Sequence, residues 1–139
     1  MTNIKDFSAL TQLLAQKGTR KRIVVVNPED ESTRWALERA RHEGLCETII
    51  VDDEDRTVAA QKAVALIREK KGDVLMKGFI NTDVLLHAIL NKEHGILEPG
   101  SVMTHITAAS LPGYDKLLFF TDAAVIPIPT QEQRVQQVR

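Results

Sequence analysis

Gly72-Asp73-Val74-Leu75-Met76-Lys77-Gly78-Phe79-Ile80-Asn81-Thr82-Asp83-Val84-Leu85-Leu86-His87-Ala88-Ile89-Leu90 reads as a short strand, a glycine turn and a capped helix. Val74, Leu75 and Met76 form an unbroken apolar run, the pattern of a strand covered on both faces. Gly78 lets the chain turn tightly, with no Cβ to block a ligand. Asn81 or Thr82 is a fitting helix cap, and Asp83 then falls in the first turn. Lys77 stands at the carboxyl end of the strand, the edge where open α/β sheets bind ligands. A helix start offers free N–H groups and partial positive charge to an anion there. The plain alternative is an ordinary strand-turn-helix with one exposed lysine.

Working outward, the same alternation recurs. Residues 3–17 carry Ile4, Phe7, Leu10, Leu13 and Leu14 at helical spacing, and Gly18 ends the run. Lys21 to Asn27 is a β-branched first strand, followed by the Asn27-Pro28-Glu29-Asp30 turn and a helix to about Glu43. Glu47 to Val51 is the second strand. The acidic loop Asp52-Asp53-Glu54-Asp55 suits capping of the next helix, from about Thr57 to Lys71, better than a metal. Strand 73–76 and helix 81–93 follow. Ser101–Ala108 and Leu117–Thr121 read as two more strands. The link between them is too short for a parallel crossover, so antiparallel pairing is expected. A last helix begins at Thr130. These elements predict a single α/β domain over residues 1–139, a three-layer sandwich with a mostly parallel, mixed sheet.

Composition narrows the function. Of 139 residues, 43% are hydrophobic and 27% charged, enough for a real core. Eighteen basic and nineteen acidic residues leave a net charge of −1, so nucleic acid is not an expected partner. An aromatic content of 4% argues against a base-stacking platform. The one cysteine, Cys46, suits a reducing cytoplasm and reads as a small semi-buried residue. No apolar run approaches the length of a membrane span. The dinucleotide fingerprint, the phosphate loop and the nucleophile elbow are all missing. His42, His87, His94 and His105 show no zinc spacing, and no metal is expected.

What remains gathers at strand ends. Lys77 and Gly78 follow the third strand, Thr104 and His105 fall within the fourth, and Thr121 and Asp122 close the fifth. In one assembled sheet these would converge on an edge. Lys77 would neutralise a phosphate, with Thr82, Thr104 and Thr121 as hydrogen-bond donors. His105 and Asp122 are the weaker, catalytic candidates. Each also has a structural reading: Asp122 as a turn cap, His105 as a satisfied interior polar group.

Several segments carry a resemblance. Asp73 to Leu86, Asn91-Lys92-Glu93, Leu111-Pro112-Gly113-Tyr114-Asp115 and Thr121-Asp122-Ala123-Ala124 resemble the phosphate acetyl/butyryltransferases, especially the phosphotransbutyrylase branch. The resemblance runs from about Lys21 onward. It implies transfer of a short acyl group, butyryl or similar, between coenzyme A and phosphate. Coenzyme A is then a substrate, with no tightly bound cofactor. It also implies an isocitrate/isopropylmalate dehydrogenase-like fold of two α/β domains, of which this chain matches the amino-terminal part. On that match the second domain and a Ser-Arg segment of the cleft are expected to lie outside these 139 residues. His87 stands where the family usually has Arg, and a neutral imidazole is a weaker anion clamp. His87 joins Lys77, Gly78, Thr82, Thr104 and Thr121 as an expected substrate contact. At this length the chain is expected to turn over very slowly or not at all and to form a homo-oligomer. The alternatives are a non-catalytic coenzyme A or acyl-phosphate binding module, or an oligomerising interaction domain.

Overall fold

A computed structural model describes residues 4–122 and 124–138. The elements in order are α1 (Phe7–Lys17), β1 (Lys21–Val26), α2 (Glu31–His42), β2 (Cys46–Val51), α3 (Arg56–Arg68), β3 (Val74–Lys77), α4 (Thr82–Ile89), β4 (Ile106–Ala109), β5 (Leu118–Thr121) and α5 (Gln131–Val138). The chain divides into two compact units: Leu14–Leu97, and Met1–Leu13 together with Glu98–Arg139.

The Leu14–Leu97 unit holds a parallel sheet of order β2-β1-β3. β1 is central, which explains its run of β-branched residues: Val24, Val25 and Val26 are fully buried. Val24 and Val26 pack with Ala59, Ala60 and Ala63 of α3 and Leu85 of α4. The alanines let the helix sit close to the sheet. Side chains alternate along a strand, so Val25 faces the other side. On that side Thr48 and Ile50 border a hollow with Leu37 and Arg41 of α2. Helices therefore cover both faces. The β2 and β3 connections run in opposite directions from β1, which makes a topological switch point at the carboxyl ends of β1 and β3.

Several boundaries differ from the sequence expectation. β3 is an edge strand, and Val74 is 46% exposed; the apolar run is covered on one side only. α4 ends at Ile89 rather than near residue 93. The Asn91 side chain accepts the N–H groups of Glu93 and His94, at 2.9 and 2.8 Å, and so draws the chain out of the helix.

The expected mixed sheet is instead two sheets. β4 and β5 pair only with each other, antiparallel, with Ile106 opposite Thr121 and Ala109 opposite Leu118. The hairpin pairing follows from the short link. β4 is shorter than expected, so Thr104 and His105 precede it. At the next rung the His105 N–H is taken by the Asp122 carboxylate at 3.0 Å, which ends the backbone ladder. All four residues of β5 are exposed.

Candidate functional site

The carboxyl edge of the parallel sheet is built from three loops tied to one residue. Asn27 ends β1 with φ 47°, a left-handed conformation that asparagine tolerates better than most residues. Its N–H donates to the Val51 carbonyl at 2.9 Å, joining the end of β2. Its carbonyl accepts from Glu29 at 2.9 Å and from Phe79 at 2.6 Å, joining the turn after β3. Its side-chain Nδ2 donates to Asp52 Oδ1 at 2.9 Å and to the Asp53 carbonyl at 2.8 Å. The residue is fully buried, and its Oδ1 has no protein partner.

Gly78 lies against this corner. Its N–H donates to the Val26 carbonyl at 2.9 Å. A Cβ there would stand 2.4 Å from the Val26 oxygen and 2.5 Å from the Asn27 oxygen. The glycine is required by close approach of the β1 backbone, and it is not among the positive-φ glycines. The expectation that Gly78 leaves room for a ligand is corrected on this point: the room is filled by the protein's own carbonyls.

Lys77 pairs with Val26 at the last rung, is exposed, and reaches no closer partner than the Gly78 carbonyl at 3.4 Å. Beyond it, Asn81 is the N-cap of α4 but makes no side-chain cap bond, and Thr82 is the exposed first helical residue. The other two helices starting at this edge are capped. Asp30 accepts from Thr33 on α2, and Asp55 accepts from Thr57 and Val58 on α3. Hydrogen bonds from Ser32 and Thr33 hold the Asp30 carboxyl down to about 2. The acidic loop is likewise engaged. Lys62 Nζ donates to Asp53 Oδ2 at 2.7 Å and holds that carboxyl below its ordinary range. Arg56 pairs with Glu29 at 2.7 Å and links the loop after β1 to α3.

The remaining candidates fall elsewhere. His87 is exposed and lines a groove of about 620 Å³ between α3 and α4, beside Arg68, Asn91 and His94. Lys77, Gly78 and Thr82 do not line that groove. Thr104, His105, Thr121 and Asp122 belong to the other unit, around the β4–β5 ribbon. There burial raises the Asp122 carboxyl, but N–H groups of Ile126, Val125 and His105 outweigh it and hold the group below its ordinary value. Its Oδ1 accepts from Val125 and Ile126 at 2.9 and 3.1 Å, the geometry of a turn cap. Thr107 Oγ1 lies 3.5 Å from His105 Nδ1. Cys46 opens β2 at the opposite end of the sheet, and burial pushes its thiol up. No helix among the described residues is long and apolar enough to cross a membrane.

Asn27 is the residue that sequence reasoning passed over, as part of a turn. The available signal was an asparagine, tolerant of positive φ, between a buried strand and a proline.

The Leu14–Leu97 unit is thus an α/β unit with a switch point and a strand-lysine-glycine-helix edge. Comparison with known proteins narrows it. The chain is 30% identical to the phosphate butyryltransferase of Clostridium acetobutylicum over 97% of its own length and 52% of that enzyme. It is 37% identical to the phosphate acetyltransferase of Rhizobium meliloti over 80% of its length and 34% of that protein. A crystal structure of a branched-chain phosphotransacylase from Enterococcus faecalis superposes with a TM-score of 0.68 at 22% identity, over 85% of this chain and 48% of that one. This last likeness concerns the fold. No family model matches. The resemblance to phosphate butyryl- and acetyltransferases therefore holds, and the chain spans about half the length of the butyryltransferase it matches.

Proposed function

We propose that this chain is the amino-terminal part of a phosphate acyltransferase that moves a butyryl or other short acyl group between coenzyme A and phosphate. The observation that carries the reading is similarity to a phosphate butyryltransferase along 97% of the chain. In the reaction, a phosphate oxygen attacks the thioester carbonyl, the C–S bond breaks, and coenzyme A leaves as the thiol after taking a proton. Such chemistry asks a protein to hold two anionic substrates in register and to stabilise the developing oxyanion. Lys77, Gly78 and Thr82 are proposed to meet phosphate or the pantetheine diphosphate. His87, Thr104 and Thr121 are proposed as further substrate contacts, with His105 and Asp122 as the weaker candidates for the chemistry. Support for Lys77 comes from its lack of a strong internal partner at the carboxyl edge. The fold of the whole is proposed to be isocitrate/isopropylmalate dehydrogenase-like, working as a homo-oligomer in the cytoplasm.

The test is coenzyme A binding and thiol release by the 139-residue chain. Titration should show coenzyme A binding. Thiol release from butyryl-CoA with phosphate should be far below the roughly 1–1000 per second of ordinary enzymes, because one wall of a cleft neither excludes water nor aligns both reactants. Absence of coenzyme A binding would overturn the proposal. An ordinary turnover rate would show that these residues suffice for the reaction.

A further inference from the structure

We propose that Asn27 is a positioning residue for the substrate-binding turn: its side chain fastens the loop after β2 to the end of β1, and its backbone carbonyl, held in place by that anchor, takes the N–H of Phe79 in the turn after β3. This rests on the reading that the turn meets coenzyme A or phosphate. Three observations carry it. First, Asn27 carries the backbone bonding one residue past the last rung on both sides of the central strand, its carbonyl accepting from Phe79 and its N–H donating to Val51. Second, its amide fastens the acidic loop through Asp52 and Asp53, the loop from which α3 departs. Third, the arrangement is not the one of lowest local energy. A non-glycine residue at φ 47° and a fully buried Oδ1 with no partner both cost stability, and such features persist where surrounding structure over-determines them, often at ligand sites. Gly78 lies close against the same corner, since a Cβ there would fall 2.4 Å from the Val26 oxygen and 2.5 Å from the Asn27 oxygen. A shift of the Asn27 peptide is therefore passed directly to Gly78 and Lys77.

The test compares Asn27→Gly, which keeps the left-handed backbone and removes the amide, with wild type. Coenzyme A affinity is read by titration and amide exchange by mass spectrometry. The expected result is affinity about tenfold weaker, the scale of one lost hydrogen bond. Exchange at Gly78, Phe79 and residues 53–55 should be faster while Val51 and Val64 keep wild-type protection. A merely stabilising role would speed all of these together. Asp52→Ala, at an exposed position, removes one partner of the amide without touching β1. It should shift both readouts in the same direction by less, and it serves if Asn27→Gly does not fold. Wild-type affinity with unchanged exchange at Gly78 and Phe79 in the folded variants would overturn the proposal. Should wild type itself bind no coenzyme A, the functional reading fails, and the exchange pattern alone decides whether Asn27 positions the turn.

Discussion

Leu14–Leu97 and Glu98–Arg139 have similar proportions of apolar residues but bury them differently. In the first, a central strand flanked by two parallel neighbours and covered by helices places Val24, Val25 and Val26 wholly out of water. In the second, Leu117 is the buried hydrophobic among the described residues, while Ile106, Leu118, Phe119 and Phe120 stay exposed on a two-stranded ribbon. Two strands have too few neighbours to cover their own side chains, and an isolated ribbon is marginal in water. Apolar alternation therefore makes a core only where topology supplies a covering layer. The contrast predicts that substitutions in the first unit are felt throughout it and that equivalent ones on the ribbon are not.

The largest effect should come from Gly78. Both Gly78→Ala and Gly78→Val put a Cβ within 2.5 Å of two backbone oxygens that are themselves fixed by β1. Each should cost about 3 kcal/mol or more, at the upper end for overpacked sites. Urea denaturation followed by circular dichroism measures it. Wild-type stability in the alanine variant would show that the β1 and β3 ends separate more easily than their hydrogen bonds suggest.

Next in size is a paired truncation. Val25→Ala removes buried methyl groups from the central strand and should cost about 1–3 kcal/mol. Phe119 is a larger side chain but 59% exposed, so Phe119→Ala should stay within about 0.5 kcal/mol. Equal losses would mean that the ribbon face is covered in solution, as in the proposed oligomer.

A smaller effect follows from pH. The Asp73 carboxylate accepts the Arg22 side chain at 3.1 Å and the Arg22 N–H at 2.8 Å, closing the amino end of β1 onto β3. Those bonds lower its pKa from 3.8 to about 2. The group is depressed in the folded state, so its contribution is present above pH 4 and is lost as pH falls from about 4 through about 2. Asp73→Asn should flatten the fall in melting temperature over that window. An unchanged slope would assign acid sensitivity to other carboxylates, with Asp30 next in line.

These cases also show what sequence can carry. The β1, β2 and α3 segments were legible because β-branched runs, helical periodicity and capping aspartates are local signals, and local signals agree with the final packing there. The separation of β4–β5 from the parallel sheet was not legible, because pairing partners are chosen over long range and the alternation in 101–121 fits either arrangement. Among the candidate residues, Lys77 and Gly78 are legible by their place after an apolar run. Asn27 is not, since its role depends on Asp52, Asp53 and Phe79, which lie 25 to 52 positions away in the chain. Asp122 stays open to two readings in sequence, because a carboxylate that caps backbone N–H groups looks the same there as one that faces a ligand.

The smallest structural effect, and the most informative one for function, belongs to Lys77. The side chain ends one edge of β3, is exposed, and touches only the adjoining Gly78 carbonyl at 3.4 Å, longer than a good hydrogen bond. Removing it should leave the fold nearly untouched: Lys77→Ala is expected within about 0.5 kcal/mol of wild-type stability. Affinity is a separate quantity. If the ammonium meets a phosphate oxygen of coenzyme A, one charge-assisted contact is lost, worth about 1.5–3 kcal/mol of binding free energy. The neighbouring Gly78 variants cannot make this distinction, because they disturb the backbone corner along with any ligand. Lys77→Ala therefore isolates the site from the scaffold. Thermal melting and coenzyme A titration on the same preparation give both numbers. Matching melting temperatures with weakened binding place Lys77 in the site; matching affinities would remove it and leave the β3 turn as a connector.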